Sequence, residues 1–457
     1  MNKKLSIKEN TIIKCILTAL TTAVLCMALL FLTGLIPQSA IKDNCAESAQ
    51  YFMEEELFGE VIDKQFNTIQ DNYADCILIN VMYHISGENT FSSLIKASYY
   101  DPDFEQVNVS FYDSVQEDKE PNVDYFRYWH GSMVLLRPLF TLTGIEGARM
   151  VLGIALFVMI AVASALLWRL KAKAAAVLYL LGNAIVQVWM CLFCIEYITT
   201  FLVANAILIV ELCLFAKAKK EKSKTEEHLR KQVLTLMAVS GVVTCFVDFL
   251  TTETLTVTIP LMFLMILLHE EGKLKTIKEE VKYLFKCGIT WGFSYAGMFV
   301  LKWGLSALVL GGKAFTEAMA AAGERIGGTV YMGNTNLDPE ADFVQRFIGL
   351  IHRNQGCLFP FKENMNMGTV LWLFLGVCML CFAIVYLFRP RKLPFNIIVV
   401  CLLLGALPYL RYMTLQNHSY QHYFFTYRAQ LVTLVAIGYC TWQFGLKGLF
   451  LRSESQK

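Results

Sequence analysis

Long apolar stretches recur through the chain, and they constrain its fold more than any other feature. Ten stretches approach the roughly 20 apolar residues needed to cross about 30 Å of hydrocarbon: 15–36, 149–168, 174–195, 197–216, 233–250, 254–268, 284–302, 369–388, 395–413 and 429–446. The shortest carries Pro260. The run 174–216 is interrupted by a single acid, Glu196, so it reads as two spans joined by a tight turn. Composition agrees: 56% of the 457 residues are hydrophobic and 17% charged, against about 25% charged in soluble domains. A soluble cytosolic enzyme, a nucleic-acid binder and a disordered scaffold are thereby excluded. The expected fold is an all-α polytopic membrane protein of about ten transmembrane helices.

The first stretch follows Lys3, Lys4, Lys8 and Lys14, as a signal peptide would. Its apolar core exceeds the usual 7–15 residues and no small-residue cleavage site follows, so it reads as an uncleaved anchor. Most of the 14 cysteines lie in apolar runs, where a thiol packs as a small hydrophobe. Cys45 and Cys76 share the first outer loop, where pairing is open to them.

The net charge of +2 conceals two opposite biases. With the N-terminus inside, the inner segments hold 24 of the 40 Lys and Arg residues. The first outer loop, 37–132, holds five basic residues against 18 acids. Basic residues collect on the cytoplasmic side, so both termini are expected inside. The expected organisation is residues 1–36 as a cytosolic N-terminus and first span, 37–148 as an outer subdomain ending in a re-entrant or interfacial helix, and 149–302 as spans two to seven. A second outer loop, 303–368, and then three spans with a cytosolic tail, 369–457, complete it. Within the first loop, residues 75–85 have helical apolar spacing.

No Walker loop or dinucleotide fingerprint is present, and the inner segments are short and charged. Chemistry is therefore expected outside, where five of the seven histidines fall. Three motifs stand out there. In Asp71-Asn-Tyr-Ala-Asp75 the two carboxylates share one face of a helix, suited to a general base or a divalent cation. The alternative is that Asp71 caps the helix and Asp75 is solvated. In the run Tyr125–Gly131, Trp129 could stack on a sugar while Arg127, His130 or the nearby Arg137 meets phosphate; otherwise the run is an interfacial aromatic belt. The segment Asn417–Arg428 packs His418, His422, Arg428 and five aromatics into a short outer turn. Its histidines have zinc-ligand spacing but no third ligand, so a diphosphate-type headgroup is the better fit, against a plain interfacial anchor. Glu196, Asp248 and Glu253 sit at the mouths of spans and could ring one outward cavity with Trp129.

The layout of a first span, a large acidic outer loop and many further spans resembles the C-type (GT-C) polytopic glycosyltransferase superfamily. That resemblance implies an essential acid in the first outer loop, at Asp43, Glu47, Asp71 or Asp75. It implies a polyprenyl-phosphate sugar donor and an envelope glycan, glycolipid or protein acceptor. It also implies inverting transfer on the outer face of a cell membrane, the bacterial cytoplasmic membrane being the expected one. Asp71 or Asp75 would be the base, with Arg137, His418, His422 or Arg428 at the lipid phosphate. A polymerase or ligase of lipid-linked oligosaccharides, and a transporter or flippase, are the rival classes; a transporter usually shows repeat symmetry, broken midplane helices or mid-span charges, and here no repeat is found and Glu211, toward the inner end of its stretch, is the acid closest to mid-span.

Overall fold

The computed structural model describes residues 11–102, 106–221, 226–327, 342–358 and 394–443, with a few single positions between 373 and 384. The described residues are mainly helical, with one two-stranded ribbon, Ser98–Tyr99 against Val123–Asp124, and an isolated bridge between Glu60 and Ile69. Six helices among the described residues are long and apolar enough to cross a membrane. They are α1 (Thr11–Gly34), α7 (Ile145–Arg169), α9 (Ile195–Lys220), α10 (Glu226–Val247), α12 (Ile277–Leu310) and Phe395–Thr414. Two apolar helices are shorter: α8 (Lys173–Ile185) and α11 (Leu255–Glu270). The expected stretch 429–446 forms the 11-residue helix Leu431–Thr441. The stretch 369–388 lies almost wholly outside the described residues, as does the part 328–341 of the expected outer loop 303–368.

Local chemistry explains where these helices begin and bend. A capping box starts α12: the Thr276 hydroxyl accepts from the Glu279 amide, and the Glu279 carboxylate accepts from the Thr276 amide. The run 174–216 does not fold as two equal spans. α8 ends at Ile185, Gln187 adopts a left-handed conformation at φ 52°, and a 3-10 turn over Val188–Leu192 leads into α9. Pro260 sits inside α11 without breaking it. Its ring removes the amide that would bond the Thr256 carbonyl, and the Ser240 hydroxyl of α10 donates to that carbonyl instead, at 2.9 Å.

The segment expected as the first outer loop is a helical subdomain. It contains α2 (Lys42–Glu54), α3 (Asn72–Tyr83), α4 (Thr90–Lys96), α5 (Val107–Gln116) and the short α6 (Met133–Leu139). Cys45, Phe52, Cys76, Ile79 and Phe111 are fully buried in its core. Cys45 and Cys76 both carry free thiols.

This subdomain is bolted to the helical bundle through buried polar contacts. Arg137 donates to the Ile36, Met82 and Ile85 carbonyls at 2.5–3.2 Å, filling the acceptors left where α1 and α3 end. Lys302 of α12 donates to the Leu94 and Ile95 carbonyls at the end of α4. The Trp129 indole donates to the Met298 carbonyl, also of α12, at 2.9 Å.

Candidate functional site

Two buried acids meet where this helical subdomain joins the bundle. Asp71 caps α3, its Oδ1 accepting from the Ala74 amide at 2.9 Å. Its carboxyl also shares a hydrogen bond with Glu196 in the first turn of α9. Two carboxyls in hydrogen-bond contact require one proton between them. Burial pushes the Asp71 carboxyl up to about 7, and the neighbouring Asp75 adds to that rise.

The neighbour on the same face has a different environment. The Asp75 carboxylate is wholly buried, accepts from Arg149 Nε and Nη2 of α7, and accepts from the Ile195 amide at the start of α9. An anion at a helix N-terminus paired to a guanidinium is an anchor. Asp71 and Asp75 thus share a face, with one engaged by a cap and a second acid and the other by an ion pair.

Asp248 organises the turn after α10. Its carboxylate accepts from the hydroxyls of Thr200 and Thr251 and from the Leu250 and Thr251 amides. Burial pushes it up to about 6. Glu253 pairs with Arg411 at 2.8 Å. Arg411 also donates to Ser419 and to the Leu250 carbonyl.

The segment 416–428 folds as short helices buried against this turn. His418 Nε2 contacts the Leu250 carbonyl at 2.8 Å, and its ring lies 4.5 Å from that of His422. Burial holds His418 well below the usual histidine range and pushes His422 down to about 3. Neither Nδ1 atom has a hydrogen-bond partner. Both rings are therefore neutral at pH 7 and do not present the cationic faces expected for a phosphate. Arg428 is buried over the Tyr197 and Tyr427 rings and donates to the Phe424 and Asn67 carbonyls. The contact to Asn67 brings the helical subdomain against this segment.

The aromatic run divides in the same way. Trp129 is 1% exposed, packed on Phe246 and beneath Lys302, and offers no open face for a sugar. His130 contacts the Tyr125 carbonyl and is pushed down to about 3 by burial. Arg137 spends its donors on backbone carbonyls, as described above.

Arg127 and Tyr128, by contrast, line a cavity of about 130 Å³. Tyr128, Phe299 and Trp303 give it aromatic walls. Ala318, Ala321 and Ala322 of α13 (Lys313–Gly327) also line it, with Arg325 of the same helix. The Asp71–Glu196 pair is not on this lining. Arg325, Arg127 and Glu196 all act electrostatically on the Tyr125 phenol, whose titration is pushed up mainly by burial. No protein-family model, curated protein or solved structure matches the chain.

Sequence reasoning did not single out Arg149, Arg325 or Arg411. Arg149 and Arg411 act on partners 74 and 158 residues away, so no local spacing reveals them. Arg325 closes an Ala-rich helical run whose small residues at 314, 318, 321 and 322 form a stripe, a signal that was legible. Among the described residues, no group of three or more His, Cys, Asp or Glu could hold a metal ion.

Proposed function

We propose that the protein is an integral membrane glycosyltransferase that uses a polyprenyl-phosphate-linked sugar on the extracytoplasmic face to modify a cell-envelope glycan or glycolipid. On this reading the bundle has about ten spans with both termini inside. Asp71 is the general base. The observation that carries the reading is the Asp71 carboxyl itself: buried beside Glu196 and raised to about 7, it is poised to take a proton near neutral pH. The acceptor hydroxyl gives its proton to Asp71 as its oxygen bonds to the anomeric carbon. The bond from that carbon to the lipid phosphate oxygen breaks, and its electrons leave with the phosphate. Cationic side chains near the departing phosphate stabilise it.

The test is transfer from a polyprenyl-phosphate sugar in proteoliposomes. Asp71→Asn is expected to abolish transfer while the protein inserts and folds normally. Undiminished transfer by Asp71→Asn removes it as the base.

One observation favours the transporter alternative. Glu211 is buried within α9, and neither of its carboxyl oxygens has a hydrogen-bond partner. Ionisable groups in that position are costly and commonly serve transport. On that reading Glu211→Gln abolishes movement of a labelled lipid-linked sugar across the bilayer, and Asp71→Asn leaves it intact.

A further inference from the structure

His418 and His422 combine features that a pair of packed aromatic rings does not need. They stand one turn apart, His422 closing the helix Gln416–Gln421 with its amide donating to the His418 carbonyl at 3.0 Å. Their ring centroids are 4.5 Å apart with the planes at 46°, and Phe425 stacks on His422 at 5.1 Å. The Nδ1 of each ring is buried without a hydrogen-bond partner. Buried polar atoms are nearly always satisfied. Two unsatisfied nitrogens on rings in contact call for a shared partner.

The hydrogen bond on the far side of the His418 ring decides what its Nδ1 can offer. A carbonyl oxygen only accepts, so the 2.8 Å contact to Leu250 requires a proton on His418 Nε2. In the neutral ring the lone pair then lies on Nδ1. Proteins prepare imidazoles for metals in this way: the remote nitrogen donates to a backbone carbonyl, which fixes tautomer and ring orientation. The carbonyl is itself held in place. Leu250 is in the left-handed region at φ 67°, and its amide donates to the Asp248 carboxylate. Its carbonyl also accepts from Arg411, which Glu253 anchors. Backbone strain of that kind persists only where the surrounding contacts impose it.

Ligand count selects the ion. Zinc sites take at least three protein ligands, and among the described residues no third His, Cys, Asp or Glu joins this pair. A closed-shell monovalent cation accepts two neutral nitrogens in line. Charge selects the same way. The Arg325 and Arg411 guanidinium groups act electrostatically on both rings, and they oppose a dication twice as strongly as a monocation. Metal–imidazole bonds of about 2.0 Å place two nitrogens in line roughly 4 Å apart, within reach of rings whose centroids are 4.5 Å apart. His422 is half-buried, which gives an ion a way in.

We infer that His418 and His422 together bind one copper(I) ion through their Nδ1 atoms. The inference does not depend on the transferase reading. The full chain, with isotope-labelled histidines, is titrated in neutral-detergent micelles with copper(I) supplied as its acetonitrile complex under argon. Of the seven histidines, only His418 and His422 are expected to show moving Nδ1 signals, and the His418 Nε2 proton should remain. Buried thiols also attract copper(I), so bound copper is counted after dialysis for the wild type, His418→Gln and His422→Gln. Each variant should hold one ion fewer than the wild type. His422→Cys, which offers a sulfur in place of Nδ1, should restore that ion. The wild-type titration reads the site whether or not a variant folds. Histidine signals that do not move overturn the inference, as does unchanged copper content in both Gln variants. Zinc(II) moving the same signals at equal concentration overturns it too, because the charge and the ligand count would then select nothing.

Discussion

Asp75 accepts hydrogen bonds from Arg149 Nε at 3.0 Å and Nη2 at 2.7 Å, with both side chains out of contact with solvent. The same carboxylate accepts from the Ile195 amide, so one side chain ties α3 of the helical subdomain to α7 and α9 of the bundle. Removing one partner strands a buried charge, which costs about 3–5 kcal/mol. Arg149→Met and Asp75→Leu are each expected to lose stability on that scale. The double variant Asp75→Leu with Arg149→Met should recover much of it, because no charge is left unpaired. Unfolding midpoints across the double-mutant cycle provide the check, and additive single losses would refute the pairing. Any loss of activity in Asp75→Asn should then track the folded fraction.

Asp71 gives a different prediction because its carboxyl titrates near neutrality. A base must be deprotonated, so transfer is expected to rise with pH through about 7. Stability moves the other way. A carboxyl raised from its ordinary 3.8 to about 7 contributes its full stabilisation below 3.8 and loses it as pH climbs through 7. Asn also caps helices well, so Asp71→Asn keeps the α3 cap, whereas Asp71→Ala forfeits about 1 kcal/mol. Melting curves at pH 5 and pH 8 should therefore diverge less in Asp71→Asn than in the wild type. An equal divergence would contradict the shifted titration.

Close approach of α10 and α12 depends on Gly241. A Cβ there would collide with the Trp291 carbonyl oxygen and stand 2.9 Å from Ser294 Cβ, both on α12. Backbone cannot rotate away, so Gly241→Ala should cost about 1–3 kcal/mol. Gly292, on α12 itself, has nothing within 4 Å of its would-be Cβ. Gly292→Ala should be neutral or slightly stabilising, since Ala is the better helix former. Comparable destabilisation by both substitutions would show that the effect is not one of packing.

How far the sequence could be read depended on the range of the contacts. Uncharged length is a local property, which is why α1, α7, α9, α10 and α12 fall where apolar stretches stand. The shared helical face of Asp71 and Asp75 is local too. Their separate fates are not: Arg149 is reached across 74 residues, and the Glu196 partner of Asp71 lies on another helix. Arg137 suggested a phosphate ligand because its type suits one. Only tertiary structure reveals that the ends of α1 and α3 present carbonyls to that guanidinium. The shortening of α8 likewise turns on a left-handed residue, Gln187, that no composition signal marks.

Buried histidines set the acid limit of the fold. Burial pushes His84 down to about 4, His130 and His422 to about 3, and His418 well below its ordinary 6.5. Their contribution is complete above 6.5. It is lost as pH falls toward the folded values, because the unfolded chain takes up protons that the folded chain refuses. Asp71 and Asp248 oppose this, since carboxyls raised to about 7 and about 6 favour the folded state as pH drops toward 3.8. The histidine part should lower the unfolding midpoint between pH 6.5 and pH 4.5, read as the difference between the wild type and variants that lack one of the rings. His422→Gln and His130→Asn should each flatten that slope, and combining them should flatten it further. The rings must then stay neutral in the fold at pH 6, with imidazole signals that do not move between pH 7 and pH 5. Shifts of those signals centred near 6.5 would show that water reaches the rings and that burial does not govern the acid response.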